Sequence, residues 1–285
     1  MGSNSYFSLI VTTIELDFAN ILKLFESLND QKYTKFEVIF VNQTGVNFNE
    51  MDRFNFKIIE IHQKRISLSR ARNIGTKYSS GSILCYPDDD CYYHPSTLLN
   101  AEKHLRENDE LDFVLGNHKD IDSGSSCNGH RYKRNKCISK ENITLSSSFT
   151  IFVKSCSFKH YKFDEEMGVG AIYGCGEESD FLMQGIRENR KGMFFSDIII
   201  FHKSYALYRE TSSSKAFKYA LGNAHLYTKN KDILPMCQKL LALFIRPFGG
   251  FVISLFQFSY HKIRVRLTNC AGIIAYFIYY KKRPK

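Results

Sequence analysis

Three consecutive carboxylates, Asp88, Asp89 and Asp90, directly follow an apolar run at residues 82–86. Such a run is typical of a short buried strand, and ligand-binding groups often lie at the carboxyl ends of parallel strands. Because three adjacent carboxylates repel one another, a divalent cation that bridges to a phosphate would offset their charge. Hard oxygen ligands suit Mg²⁺ and Mn²⁺. An exposed acidic turn is the alternative at this point, since Asp is common in loops.

The elements that would position these acids alternate between strand and helix patterns over the first 120 residues. Apolar runs predict strands at residues 6–12, 36–41, 57–61 and 82–86, and apolar residues at helical spacing predict helices at 21–28, at 67–78 and from Pro95 onward. Alternation of this kind predicts an α/β fold, with a mostly parallel central sheet flanked by helices on both faces. The polar stretch at residues 117–145 predicts a long loop.

The composition is typical of a globular protein, since 44% of the 285 residues are hydrophobic and 24% are charged. That length is sufficient for one large domain or two modest ones. Eight scattered cysteines do not suggest a disulfide framework. The opening residues also lack the charged-then-apolar pattern of a signal peptide. We therefore expect a cytoplasmic protein.

The excess of positive charge is confined to the C-terminal part of the chain. Residues 203–285 contain 15 Lys and Arg against 2 Asp and Glu, whereas residues 1–202 contain 24 against 27. The basic part also holds apolar runs at 240–258 and 271–280, neither of which gives the about 20 uninterrupted apolar residues of a spanning helix. Basic residues beside apolar ones predict a helical region lying on an anionic membrane surface. Nucleic acid is a less favoured partner, because the aromatic residues cluster with Ile and Leu and do not alternate with the cations.

Several motifs occur in the order and at the spacing of one enzyme family. Residues 66–75 read Ile-Ser-Leu-Ser-Arg-Ala-Arg-Asn-Ile-Gly, residues 80–90 read Ser-Gly-Ser-Ile-Leu-Cys-Tyr-Pro-Asp-Asp-Asp, and Pro95 follows. Residues 174–182 read Gly-Cys-Gly-Glu-Glu-Ser-Asp-Phe-Leu, and His202 follows a strand-like run at 198–201. Over roughly residues 6–230 the chain resembles the family 2 glycosyltransferases. The resemblance implies the GT-A fold, a single α/β domain that binds a nucleotide-diphosphate sugar.

This resemblance also implies roles for the residues at the donor. Asp90 would bind Mn²⁺ or Mg²⁺ directly, with Asp88 beside it and His202 completing the coordination sphere. Asp88 or Asp89 would lie near the ribose or the sugar. Arg72 would pair with phosphate oxygens through its planar guanidinium, or form a salt bridge with a surface acid.

At the acceptor, the resemblance places the catalytic base at Glu178, where the family more often has Asp. Glu177 is the second candidate, and Asp180 would support the structure or orient the acceptor. A base is needed because the acceptor hydroxyl loses its proton as it attacks the anomeric carbon. The alternative is that the three acids only stabilise a helix N-terminus, by under about 1 kcal/mol each. Inversion at the anomeric carbon is the outcome that the resemblance implies.

Two departures from the family pattern affect the nucleotide. The second strand ends at Asn42, where the family usually has a carboxylate that contacts the base or ribose, and the first strand ends with Thr12 and Thr13. We place Thr12 and Asn42 among the nucleotide-binding residues. We expect a UDP-sugar only because that donor is the common case.

The resulting hypothesis is a metal-dependent, inverting glycosyltransferase with a GT-A domain at residues 1–210 and a basic, apolar helical region at residues 211–285. It would transfer a sugar to a lipid-linked saccharide on the cytoplasmic face of the inner membrane, in the synthesis of a surface polysaccharide such as O-antigen or capsule. Two alternatives stay open from the sequence: a non-catalytic nucleotide-sugar-binding protein, and a metal-dependent phosphohydrolase built on residues 88–90.

Overall fold

The structure is a computed structural model that describes residues 5–127, 135–143, 146–203, 212–235, 238–239, 241–258 and 260–280. The predicted domain boundary at residue 210 and the basic residues at 281–285 lie outside this part of the chain. The boundary therefore stays a prediction.

Nine strands and eight α-helices are described. The strands are β1 (Phe7–Thr13), β2 (Phe36–Asn42), β3 (Lys57–His62), β4 (Ile83–Cys85), β5 (Tyr92–Tyr93), β6 (Phe113–Asp120), β7 (Lys136–Ile138), β8 (Ile151–Lys154) and β9 (Gly192–His202). The helices are α1 (Ala19–Asn29), α2 (Leu68–Lys77), α3 (Thr97–Glu107), α4 (Ser155–Phe158), α5 (Glu177–Arg187), α6 (Ser213–Lys229), α7 (Arg246–Phe256) and α8 (Tyr260–Ala275). Two π-helical segments, Leu241–Ile245 and Tyr276–Tyr280, adjoin α7 and α8.

All nine strands belong to one sheet, in the order β3-β2-β1-β4-β8-β6-β9-β5, with β7 also paired to β9. The four strands β3, β2, β1 and β4 run parallel, as do β6 and β9, and β8 joins the two groups in an antiparallel orientation. Every residue of β1 and β2 is buried, as expected for parallel strands covered on both faces. The α/β fold with a mostly parallel sheet, predicted from sequence, is confirmed.

Two apolar clusters cover the two faces of the sheet. Residues of α1 and α3 pack with Phe7, Leu9 and Val11 of β1 on one face. Residues of α5 and α6 pack with Ile10 and Leu84 on the other. The alternation along β1 follows from the two-residue period of side chains in a strand.

The prediction of a continuous loop at residues 117–145 is wrong. Strand β6 extends to Asp120, and Lys136–Ile138 forms β7 on the edge of β9. Polar composition concealed both pieces, because ladder hydrogen bonds join backbone groups and do not require an apolar side-chain pattern.

Helix α6 belongs to the same packed body as the sheet. Leu221, Ala224 and Leu226 join the core cluster around α5. Close approach is possible at Gly222, where a Cβ atom would lie 2.6 Å from the carbonyl oxygen of Cys175. Helix α7 differs, since only Pro247 and Ser254 are buried in it, whereas α8 packs on α6 through residues that include Gly272. Within the described residues, no helix has the length and apolar character needed to cross a membrane.

Candidate active site

The acid triplet lies beyond the end of β4, and each acid has a different neighbour. Asp88 pairs with Thr12 in a parallel bridge that continues the line of the sheet. Asp89 accepts a hydrogen bond of 2.5 Å from the Thr13 hydroxyl, and Asp90 lies 3.0 Å from Nε2 of His202 at the end of β9. The carboxyl ends of β1, β4 and β9 therefore meet at one edge of the sheet, which brings residues 12, 88–90 and 202 together.

Asp88, Asp90 and His202 form the one group of potential metal ligands found among the described residues, with one ligand atom from each lying within 4.8 Å of the others. The imidazole of His202 stacks on Phe149, with ring centroids 4.6 Å apart and planes 2° from parallel. Its Nδ1 lies 2.8 Å from the Lys203 carbonyl. A carbonyl only accepts, so Nδ1 carries the proton and Nε2 is the atom that would ligate. A backbone carbonyl that fixes the histidine tautomer is a common feature of metal sites. The two carboxylates suit Mn²⁺ or Mg²⁺, so the acids of this group fit the predicted cation.

The pKa values of two acids of the triplet, Asp89 and Asp90, are shifted in opposite directions. The hydrogen bond from His202 lowers the pKa of Asp90, although burial opposes the shift. In turn, burial opposes the charged form of His202, but Asp90 outweighs it and the pKa of the imidazole is raised. The pKa of Asp89 rises to about 6, because burial and the charges of Asp90, Asp88 and Glu15 together outweigh the Thr13 hydrogen bond. Asp90 is therefore ionised at neutral pH, and its charge is available to a cation.

Arg72 is buried between two acids of the site. The residue is 1% exposed, and its guanidinium lies 2.6 Å from Asp88 and 3.2 Å from Glu177. It also donates to the Ser148 hydroxyl at 2.8 Å. Of the two roles predicted for Arg72, the salt bridge is present, although with acids of the site and not with an acid of the open surface. Its contact with a phosphate stays a prediction. Arg72 thereby links the acid triplet to the start of α5.

The acids at the start of α5 separate into different environments. Gly176 precedes the helix with φ +92°, a conformation that favours glycine. Glu177 turns inward to Arg72. Glu178 is half-buried and lines a cavity of 590 Å³ between α5, α6 and residues 238–246. Burial of its carboxyl and the charge of Glu177 raise the pKa of Glu178 well above its usual range. Of the two base candidates, Glu178 is the one that lines a cavity.

Asp180 is fully buried in a cluster of polar groups. Its carboxylate lies 2.8 Å from Nζ of Lys229 and accepts a hydrogen bond of 3.0 Å from Asn230. Lys229 also contacts Asp164 at 2.6 Å. The position supports the structural alternative predicted for Asp180, because a carboxylate with no exposed surface holds α5 against the end of α6.

Asn42 is also enclosed, which corrects its proposed contact with the nucleotide. Its amide nitrogen donates to the carbonyl of Val46 and to Glu60, and its oxygen accepts from the backbone and hydroxyl of Thr44. With no exposed surface, the side chain closes the turn after β2. Thr12 is 8% exposed and lies next to Asp88; its contact with the nucleotide stays a prediction.

Sequence reasoning missed several residues of this site. Ser148 donates to Asp88 at 3.2 Å while it accepts from Arg72, and Phe149 provides the stacking surface for His202. Thr13 holds Asp89, and Tyr219 of α6 lines the cavity beside Glu178. Ser148 and Phe149 stand in a serine-rich stretch with no periodic pattern, so nothing local marks them. The Thr12–Thr13 pair at the end of β1 was a usable signal, because it ends a strand adjacent to β4.

Comparison with known proteins decides the family. The family model described as Glycosyl transferase family 2 matches residues 8–168, which is more than half of the chain. The chain belongs to glycosyl transferase family 2. It is accordingly a glycosyltransferase. The matched segment includes Arg72 and the acid triplet, whereas Glu177, Glu178 and His202 lie beyond it and are brought to the same edge by the fold.

Solved structures show that this glycosyltransferase has the GT-A fold. Residues 1–349 of TarS from S. aureus superpose with a TM-score of 0.65 at 18% identity, covering 95% of this chain and 80% of that one. The mannosyltransferase PcManGT from Pyrobaculum calidifontis, solved with GDP-Man and Mn²⁺, gives a TM-score of 0.65 at 11% identity, covering 99% of this chain and 89% of that one. No curated protein matches the sequence.

Proposed function

We propose that the protein is a metal-dependent glycosyltransferase that takes a sugar from a nucleotide diphosphate, with a UDP-sugar as donor. The observation that carries the proposal is the convergence of Asp88, Asp90 and His202 at one edge of the sheet. Relatives of similar fold support the donor class, since TarS was solved with UDP-GlcNAc and with UDP, and PcManGT with GDP-Man and Mn²⁺. These two relatives bind different nucleotides, so uridine is the part of the proposal that most needs a direct test.

Asp88, Asp90 and His202 would hold Mn²⁺ or Mg²⁺. A cation bound there would neutralise the charge that develops on the departing diphosphate. Neighbouring groups hold these ligands in place: Arg72 fixes Asp88, and the Lys203 carbonyl and Phe149 orient His202. Asp89 and Thr12 lie beside these ligands, where they would contact the sugar or ribose.

Glu178 would remove the proton from the acceptor hydroxyl as its oxygen attacks the anomeric carbon with inversion. Burial and Glu177 raise the pKa of Glu178, and a general base works best when its pKa approaches the working pH. Asp180 and Lys229 would hold α5, and with it Glu178, in position through their buried ion pair.

The acceptor would be a lipid-linked saccharide presented at an anionic membrane surface. Large apolar side chains of the C-terminal helices are exposed, and we call them the apolar C-terminal surface: Phe244 43%, Ile245 61%, Val252 50%, Ile253 58%, Phe256 77%, Phe258 91%, Tyr260 78% and Leu267 54%. An exposed apolar patch rimmed by cations suits a bilayer surface, and residues 203–285 supply a large positive excess. The proposed location is the cytoplasmic face of the inner membrane, in the synthesis of a surface polysaccharide such as O-antigen or capsule.

A thermal unfolding screen tests the donor. The full chain is heated with each of a set of UDP-, GDP-, CMP- and dTDP-sugars, with and without Mn²⁺. A donor at a hundredfold its dissociation constant would stabilise the fold by about 2.7 kcal/mol. We expect UDP-sugars to stabilise, and only when Mn²⁺ is present. Stabilisation by another nucleotide would overturn the uridine assignment, and none by any of them would overturn the donor class.

Product analysis separates the proposal from its two alternatives. The stabilising donor is incubated with Mn²⁺ and a membrane lipid extract from the cells that encode the chain. Transfer of labelled sugar to the lipid fraction supports the proposal. Binding without turnover would indicate a non-catalytic binding protein, and release of inorganic phosphate without any acceptor would indicate a phosphohydrolase.

A vesicle assay tests the membrane. The chain is sedimented with vesicles of phosphatidylglycerol and phosphatidylcholine, and with phosphatidylcholine alone. We expect binding to the anionic vesicles that weakens as salt is added. Equal recovery in the supernatant with both would contradict the proposed location.

A further inference from the structure

The 590 Å³ cavity that contains Glu178 has a wall from the C-terminal part of the chain. Glu178 and Ser179 of α5 form one side, Tyr219 and Asn223 of α6 another, and Gln238, Leu241, Ala242 and Arg246 the third. A larger cavity of 660 Å³ lies between α6 and residues 165–172, but it contains none of the acids discussed above. Of these two cavities among the described residues, the first is therefore the one that offers a reacting hydroxyl a route to the candidate base.

The side chains of this cavity are of the types that bind saccharides. Tyr219 offers a ring and a hydroxyl, and Asn223 and Gln238 offer amides. The amide nitrogen of Gln238 donates to the Glu141 carbonyl at 2.7 Å, while its oxygen is buried and has no hydrogen-bond partner among the described residues. Buried polar atoms in native proteins are nearly always paired. A ligand hydroxyl that donates a hydrogen bond to this Gln238 oxygen would therefore satisfy it and favour binding.

The start of α5 connects this cavity to the metal-ligand edge. Glu178, which lines the cavity, follows Glu177 in the helix. Glu177 lies 3.2 Å from the guanidinium of Arg72, which lies 2.6 Å from Asp88. A saccharide in the cavity would consequently lie beside the place proposed for the donor.

Arg246 supplies the positive charge of the cavity. It is exposed and, within the described ranges, has no carboxylate within ion-pair distance. The two acids that line the cavity, Glu141 and Glu178, come from other walls. Beside Arg246 in the helix, Ile245 and Phe248 are exposed apolar residues at 61% and 37%. One short segment therefore presents a cation to the cavity and apolar side chains to the outside.

From the inside of the cavity outward, hydrogen-bonding groups are followed by a cation and then by apolar side chains, and this order matches one class of molecule. A saccharide joined to a lipid through phosphate has hydroxyls at one end, an anion next, and an apolar chain last. Building on the proposed glycosyltransferase function, we propose that this cavity binds the acceptor, a phosphate-linked lipid saccharide, with Tyr219, Asn223 and Gln238 on the sugar and Arg246 on the phosphate. The C-terminal region then completes the acceptor site in addition to meeting the membrane.

Competition by simple amphiphiles tests the assignment of Arg246. Transfer to the lipid extract is measured in a neutral detergent with added dodecyl phosphate, dodecyl glucoside or dodecyl glucuronide. We expect dodecyl phosphate to compete best with the wild-type chain, and about tenfold less well with Arg246→Gln, because a charged hydrogen bond contributes about 1.5–3 kcal/mol. Stronger competition by the glucuronide would overturn the phosphate assignment, as would competition that Arg246→Gln leaves unchanged.

Cavity variants test the site itself. Arg246→Gln and the cavity-filling Asn223→Trp should each raise the acceptor KM by about tenfold or more, while the Mn²⁺-dependent thermal shift with donor stays as in the wild type. Arg53→Gln, an exposed arginine on the far edge of the sheet, should leave both unchanged. Wild-type acceptor kinetics in both cavity variants would place the acceptor elsewhere.

The same measurements distinguish the two levels of the proposal. If the wild-type chain shows no donor-dependent shift and no transfer, the proposed function fails. If donor binding and transfer are intact but the cavity variants have no effect, only the acceptor assignment fails. A variant that loses both readouts is judged by its unfolding curve, and the second cavity variant then decides.

Discussion

Charged groups are buried in the sheet domain, whereas apolar groups are exposed on the C-terminal helices. Arg72 is 1% exposed and Asp180 is fully enclosed, and both are paired with opposite charges. On the other side, Phe256 and Phe258 are 77% and 91% exposed. Burying an ion pair is expensive unless its geometry is good, and exposing an aromatic ring to water is unfavourable. The difference indicates that the sheet domain is built around its site, whereas α7 and one face of α8 leave large apolar side chains exposed.

The largest effect on activity is expected at Glu178, because we propose that its carboxylate acts as the catalytic base and does not stabilise the fold. Glu178→Gln should lower kcat by about 10²–10⁴-fold, the usual contribution of a general base. Donor affinity should be retained, because the amide keeps the shape of the side chain. The measurement is the initial rate of transfer with saturating donor and Mn²⁺.

The matched control is Glu110→Gln, which removes an exposed carboxylate that pairs only with Lys191 at the surface. It should transfer at the wild-type rate. If Glu178→Gln also kept full activity, Glu178 would not be the base, and Glu177 would become the next candidate.

A large loss of stability is expected at Arg72. Arg72→Met should lower the free energy of unfolding by about 3–5 kcal/mol, because Glu177 would be left as an uncompensated buried charge and Asp88 as a partly buried one. Urea unfolding at neutral pH measures this loss. Arg53→Gln, whose partners Glu26 and Glu50 are exposed, should cost at most about 1 kcal/mol. Similar losses in both would mean that the site of Arg72 is not organised as described.

The Lys229 cluster gives a smaller effect that depends on pH. The hydrogen bond with His225, together with Lys229, lowers the pKa of Asp164 from its ordinary value of 3.8, although burial opposes the shift. This contribution to stability is fully present above pH 3.8 and is lost as pH falls through the folded pKa of Asp164. Lys229→Met should therefore destabilise the protein by about 1–3 kcal/mol at pH 7, and by less as the carboxylate becomes protonated.

Urea unfolding at a neutral pH and again below the ordinary pKa of Asp checks that sign. The difference between the wild type and Lys229→Met should shrink at the lower pH. A loss that is the same at both would show that Lys229 acts through packing and not through its charge.

The smallest effect on folding is expected on the apolar C-terminal surface. Replacing Phe256 and Phe258 by Ser should change the free energy of unfolding by less than about 0.5 kcal/mol, because exposed side chains contribute little to the core. Affinity for anionic vesicles should fall at least about tenfold, since each buried Phe contributes about 1.5–3 kcal/mol. Loss of stability without loss of vesicle binding would show that these side chains stabilise the fold and do not bind the membrane surface.

Much of the fold could be predicted from the sequence because its signals are local. The apolar runs of β1 and β2 and the acid triplet after β4 are continuous in the chain, and their order predicted the parallel sheet. The partners of the site were not predictable in this way. Arg72 and Asn42 have the right types for ligand contacts, but their burial depends on Glu177, Ser148 and Glu60, which come from distant segments. Polar side chains that satisfy one another inside a protein leave no periodic pattern.

Calorimetric titration of UDP and Mn²⁺ into the wild-type chain and into Asp90→Asn tests the central claim most directly. The claim is that Asp88, Asp90 and His202 hold the cation that binds the diphosphate. We predict that Mn²⁺ strengthens UDP binding to the wild type, and that Asp90→Asn binds UDP equally with and without Mn²⁺. Asp52→Asn, a substitution on the exposed turn at Met51–Arg53, should behave as the wild type. An Asp90→Asn variant that still binds UDP more tightly with Mn²⁺ would contradict the account.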